Sequence, residues 1–139
     1  MSPFEHQLPT DFAQSALALA ADTGASVAQF RIAQHDSRAV SLRDGQVENI
    51  GTDSTLALSV RVVLDGAWGF AASTDLTQES ANDAARRALA MARLSARVST
   101  DAVVLADEPT HGVQFWSLPV GDDAFKLFHD FIIQLINSA

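Results

Sequence analysis

The chain has 139 residues, no cysteine and a formal net charge of −8. That length suits one domain, or one domain with an appendage, and is enough for a real hydrophobic core. The missing thiols exclude disulfides and Cys-ligated metals, and Arg86-Arg87 is the only adjacent basic pair, so no clustered phosphate-binding surface is expected.

Residues 10 to 22 read as a helix, with Thr10 or Asp11 as cap and Phe12, Ala13, Ala16, Leu17, Ala20 and Ala21 on one face. Gly24 is its stop signal. Strands are predicted over 26–35, 38–43 and 46–50, with a turn at Asp36-Ser37, a hairpin at Asp44-Gly45 and a break at Gly51-Thr52-Asp53-Ser54. In the most apolar strand, 56–64, Leu56, Leu58, Val60, Val62 and Leu64 share one face, and Ala57, Ser59, Arg61 and Val63 the other. Asp65-Gly66 is a second hairpin signal, because glycine tolerates the positive φ of a tight primed turn. Residues 67 to 72 are its return strand and carry Trp68, Gly69 and Phe70.

Thr74, Asp75 and Thr77 offer caps for a helix over 78–97, with Ala81, Ala84, Ala85, Ala88 and Ala92 as its buried face and Leu89 and Met91 flanking it. Arg86, Arg87, Arg93 and Arg97 fall towards its polar side and C-terminal end. The pattern predicts an α+β two-layer sandwich, an antiparallel meander of about four to five strands with flanking helices. Val103-Val104-Leu105 is a candidate short strand, and 111–123 reads as loop. Residues 124 to 138 read as an apolar helix holding Phe125, Phe128, Phe131, Ile132, Ile133, Leu135 and Ile136, with Asp122-Asp123 as its cap. The domain division is 1–98 for the α+β domain, 99–123 for an extended connection and 124–139 for the apolar helix. The shift in composition near Lys126, the only lysine, suggests a truncated end.

Chemistry is sparse. His6, His35, His111 and His129 form no local ligand pair, so no metal site is expected. Asp36, Asp44 and Asp53 sit where turns want them, and Glu48 lies near them; turn chemistry accounts for the aspartates better than acid–base catalysis does. No Gly-x-Ser-x-Gly elbow is present, and the glycines form no phosphate-binding loop. Gly45, Asp65 and Gly66 are read as structural turn residues. Trp68, Gly69, Phe70, Trp116, Phe128 and Ile132 are candidate core or interface anchors, with Gly69 marking a bulge or a close approach by another backbone. The N-terminus lacks a secretory pattern, and no apolar run is long enough to span a membrane, so a soluble cytoplasmic protein is expected.

Three stretches in order carry a resemblance: Val27-Ala28-Gln29-Phe30-Arg31-Ile32, then Leu42-Arg43-Asp44-Gly45-Gln46-Val47-Glu48-Asn49, then Val60 through Thr77 with Asp65-Gly66-Ala67-Trp68-Gly69-Phe70-Ala71 at its centre. Ala85-Arg86-Arg87-Ala88-Leu89 and Ala92-Arg93 continue the order. From about residue 12 to 98, and more weakly to about 125, the chain resembles the N-terminal domain of the TldD/PmbA family, the TldD branch more than the PmbA branch. The resemblance implies zinc metallopeptidases that act as TldD–PmbA pairs or related dimers on unfolded peptides, a family also known as modulators of DNA gyrase. Their chemistry lies in a later region with His-Glu-x-x-x-His and a cysteine ligand. This chain has neither, so it is expected to be inactive alone, with no cofactor of its own and zinc belonging to a C-terminal region not in it. The implied partners are a homodimer mate or PmbA-like subunit and an unfolded peptide, with no nucleic acid or membrane. The alternatives are a free-standing interaction or oligomerisation module without peptidase activity and, ranked last, a small enzyme with a dispersed site.

Overall fold

The first helix forms as Thr10–Asp22 (α1), and the two hairpin signals set the strands that come after it. The computed structural model describes residues 10–44, 46–109, 111–114, 116–118 and 124–137. After α1 come β1 (Val27–Arg43), β2 (Gln46–Leu64), β3 (Ala67–Ser73), α2 (Gln78–Ala96) and α3 (Ala124–Asn137). The sheet is antiparallel, in the order β1-β2-β3.

The class is α+β, but among the described residues the strand count is three rather than four to five. β1 runs through the expected turn at Asp36-Ser37, and β2 runs through the expected break at 51–54. The cause is cross-strand chemistry. Ser54 Oγ donates to Asp36 Oδ1, so two turn-forming side chains satisfy each other across the ladder instead of bending their own backbones. Asp36 and Asp53 are therefore strand residues, whereas Asp44 is a turn residue with a φ of 51°. Gly45 lies outside the described residues. Val103-Val104-Leu105 forms no strand; Val103 only donates its N–H to Gly66 O at 2.8 Å.

At the second hairpin Asp65 and Gly66 have φ values of 53° and 74°, the left-handed pair that a primed two-residue turn requires. The return strand pairs Val63 with Trp68, Val62 with Gly69 and Arg61 with Phe70.

The chain divides into two compact units. The first comprises residues up to Gln34 together with Thr55–Ala106. Its core joins Leu58, Val60, Val62 and Leu64 of β2 to the alanine face of α2 and to Phe12, Ala16 and Ala20 of α1. Phe12 meets Phe30 of β1 edge-to-face, with ring centroids 5.9 Å apart. Leu19, Ala28 and Ile32 pack around this core. Ala21, placed on the apolar face by its spacing, is exposed, as is Met91; Leu89 is buried. Ser15 Oγ donates to Asn82 Oδ1 at 3.0 Å and ties α1 to α2.

Thr77 caps α2. Its backbone is extended (φ −119°, ψ 160°), and its hydroxyl accepts from the Ser80 N–H at 3.1 Å. That bond satisfies one of the four free N–H groups of the first turn. Thr77→Ala is expected to cost about 1 kcal/mol in urea denaturation, and Thr77→Ser to restore most of it. The Asp83–Arg87 ion pair, 2.9 Å and half-exposed, adds little.

The second unit comprises His35–Ser54 and the chain from Asp107 onward. Arg43 pairs with Glu48 at 2.8 Å beside the first hairpin. In α3, Leu127, Phe131 and Ile133 are exposed, and Phe128 and Ile132 are half-buried. The expected cap Asp122-Asp123 lies outside the described residues. Among the described residues, no helix is long and apolar enough to cross a membrane.

Candidate functional site

The two faces of the first unit's sheet differ in what they meet. On β3, Ala67, Gly69 and Ala71 face the helices, because they stand opposite the buried Leu64, Val62 and Val60. Side chains alternate along a strand, so Trp68 and Phe70 point to the other face. Trp68 is half-buried, and Phe70 is 58% exposed.

Gly69 is where backbone approaches backbone. A Cβ there would lie 1.9 Å from Ala88 O and 2.6 Å from Ala92 N. Helix α2 therefore rests directly on β3, and the alanine face above Gly69 makes that approach possible.

On the opposite face Arg61 joins all three strands. Its Nε and Nη2 both donate to Gln29 Oε1 on β1, the first at 2.9 Å. Its guanidinium also lies 4.6 Å from the Trp68 ring centroid on β3. Gln29, Arg31, Ser59, Arg61 and Phe70 line a recess of about 220 Å³. None of these groups forms a nucleophile–base pair, so the recess is equipped to bind rather than to transfer protons or acyl groups. The sequence placed Ser59 and Arg61 on one face by alternation. It did not pair Arg61 with Gln29 or bring Arg31 beside them, because that depends on strand register, which side-chain periodicity leaves open.

The remaining candidates scatter. Asp65 and Gly66 stand at the hairpin described above. Trp116, in the second unit, is 84% exposed. His35, His111 and His129 are exposed; His6 lies outside the described residues. Asp36, Ser37, Arg38, Thr52, Asp53 and Ser54 line another recess of about 350 Å³, where Asp36 already accepts from Ser54. Among the described residues no three His, Asp or Glu side chains gather in a way that could hold a metal ion, so these residues do not fit a zinc centre.

The architecture is thus an α+β domain in which the first unit's part of the antiparallel sheet packs on α1 and α2 by one face and carries the Arg61 recess on the other. Residues 28–92 match the family model described as PmbA/TldA metallopeptidase domain 1. This stretch is similar to the first, N-terminal domain of the TldD/PmbA family. Over 80 residues the chain is 30% identical to a metalloprotease of Methanocaldococcus jannaschii, a stretch covering 58% of this chain and 18% of that protein. The fold also resembles the crystal structure of TldE from Thermococcus kodakarensis, with a TM-score of 0.53 and 18% identity over 84% of this chain and 24% of that one. The chain therefore spans less than a quarter of the length of either relative.

Proposed function

We propose that this domain is a non-catalytic part of a cytoplasmic TldD-like metallopeptidase, helping to enclose unfolded peptides and to pair subunits. The family assignment sets the context, and one structural observation supports the binding role. Among the described residues the sheet has three strands in the order β1-β2-β3, so β1 and β3 are its outer strands. An outer strand presents alternate N–H and C=O groups to which an extended peptide can add as a further strand. On this reading zinc and the peptide-cleaving groups belong to a region outside the present chain, and the partner is a second copy or a PmbA-like subunit.

The test is a titration of the full chain with an unstructured peptide of about fifteen residues, long enough to cover a strand, with backbone amide shifts as the readout. Shifts running along β1 or β3 support the proposal. Saturating peptide with no shift on either strand refutes it.

The exposed Leu127, Phe131 and Ile133 of α3 favour a second reading, an oligomerisation module using that helix. Deleting residues 125–139 separates the two. Loss of a dimer with the fold intact supports the module, whereas unfolding marks the helix as core.

A further inference from the structure

From the face of the first unit's sheet opposite α1 and α2 we infer a docking surface for a carboxylate-bearing, otherwise apolar, extended segment of a partner polypeptide. Charge complementarity identifies the occupant. The chain carries 17 Asp and Glu against 9 Lys and Arg. Yet no acidic residue stands on this face. Its positions are 27, 29, 31 and 33 on β1, 57, 59, 61 and 63 on β2, and 68, 70 and 72 on β3, and the only charged side chains among them are Arg31 and Arg61.

The recess between them is rich in donors. Gln29 Oε1 is occupied by Arg61, which leaves the Gln29 amide NH₂ as a donor. The Ser59 hydroxyl and the Arg31 guanidinium add to it. Among the described residues Arg61 is held by Gln29 and Trp68 rather than by a carboxylate, so its remaining N–H groups keep their capacity for an incoming anion. Phe70, 58% exposed, and the Trp68 ring, 4.6 Å from the Arg61 guanidinium, supply apolar contact beside the charge.

A recess of about 220 Å³ accepts a side chain or two rather than a drug-sized molecule. A carboxylate side chain between apolar neighbours fits that size and that pattern of donors. A polyphosphate strand fits less well, because two arginines can neutralise only a couple of its phosphates, where a single carboxylate needs no more than they supply. The surface is distinct from strand addition at the sheet edges: it uses side chains on the face and holds whether or not β1 or β3 accepts a strand.

The experiment uses the full chain and two probes, acetyl-Val-Glu-Val-Asp-Val-amide and its Gln/Asn counterpart. Binding is read by calorimetry and by the side-chain resonances of Trp68 Nε1–H and Arg61 Nε–H. The acidic peptide is expected to shift both resonances and to bind at least about tenfold more tightly than the neutral one. Its affinity is expected to fall about fivefold or more in Arg31→Gln, and by a similar factor between about 50 mM and about 500 mM salt. Arg61→Gln removes an inter-strand tie as well as a charge, so Arg31→Gln and Ser59→Ala carry the test without relying on it. Equal binding of the two peptides overturns the inference, as does failure of the acidic peptide to bind. Tighter binding of a short single-stranded oligonucleotide than of the acidic peptide also overturns it. Shifts confined to edge amides, with Trp68 and Arg61 unmoved, leave strand addition standing and overturn the docking surface.

Discussion

Gly69→Ala is expected to cost on the order of 3 kcal/mol or more and to lower the melting temperature by about 10 °C or more. The added methyl would lie 1.9 Å from Ala88 O and 2.6 Å from Ala92 N, both atoms of helix backbone. A clash with a flexible side chain can be relieved by a rotamer change, but this one moves α2 as a body. That movement opens the interface with Val60, Val62 and Leu64, which supplies much of the first unit's core. Total stabilities of about 5–15 kcal/mol make such a loss a large fraction of the whole. Gly51→Ala is the control, because a Cβ there meets only Asn49 Nδ2, at 3.9 Å, and its stability is expected to stay within about 1 kcal/mol of the parent. Thermal unfolding of the two variants side by side measures the difference. Equal melting temperatures would mean that α2 does not lie on β3 at Gly69. Ala88→Gly is expected not to rescue Gly69→Ala, since truncating the side chain leaves the carbonyl where it was.

The residues that announce this packing were legible in the sequence. Ala81, Ala84, Ala85, Ala88 and Ala92 recur at helical spacing, and all are buried. The alternation of 58–64 gives the buried face of β2, and Asp65-Gly66 gives the hairpin. The family resemblance came from the same stretch. The strand breaks were misplaced because Asp, Ser and Thr favour turns by local hydrogen bonding and Gly by its backbone freedom, whereas here Asp36 accepts from Ser54 on the neighbouring strand. Ala21 failed for a related reason. Helical spacing assigns a side of a helix, but the width of the buried stripe depends on what lies beneath it, and on α1 that stripe takes in Phe12, Ala16 and Ala20 but not Ala21. The sheet face opposite the helices was half visible. Arg61 and Ser59 shared a side by parity, and Trp68 and Phe70 stood out as anchors. Arg31 and Gln29 came beside them only through the pairing of β1 with β2, which no local pattern encodes.

Leu58→Ala is expected to cost about 3 kcal/mol, against less than about 1 kcal/mol for Leu56→Ala. Both leucines belong to the same sequence-defined apolar face of β2, so periodicity alone predicts similar costs. The structure separates them. Leu58 is fully buried in the core formed with α1 and α2, whereas Leu56, one step along the same face, is 39% exposed. Truncation at 58 forfeits transfer energy and leaves a cavity. The cavity cannot readily collapse, because the core it belongs to is lined on α2 largely by alanines, and the backbone of that helix already lies against β3 at Gly69. Truncation at 56 removes atoms that already meet solvent. Urea denaturation of both variants, with unchanged m-values as the check that the same unfolding is observed, gives the comparison. A smaller loss for Leu58→Ala than for Leu56→Ala would put the buried end of β2's apolar face at 56 rather than 58 and would overturn the placement of Leu58 in the core.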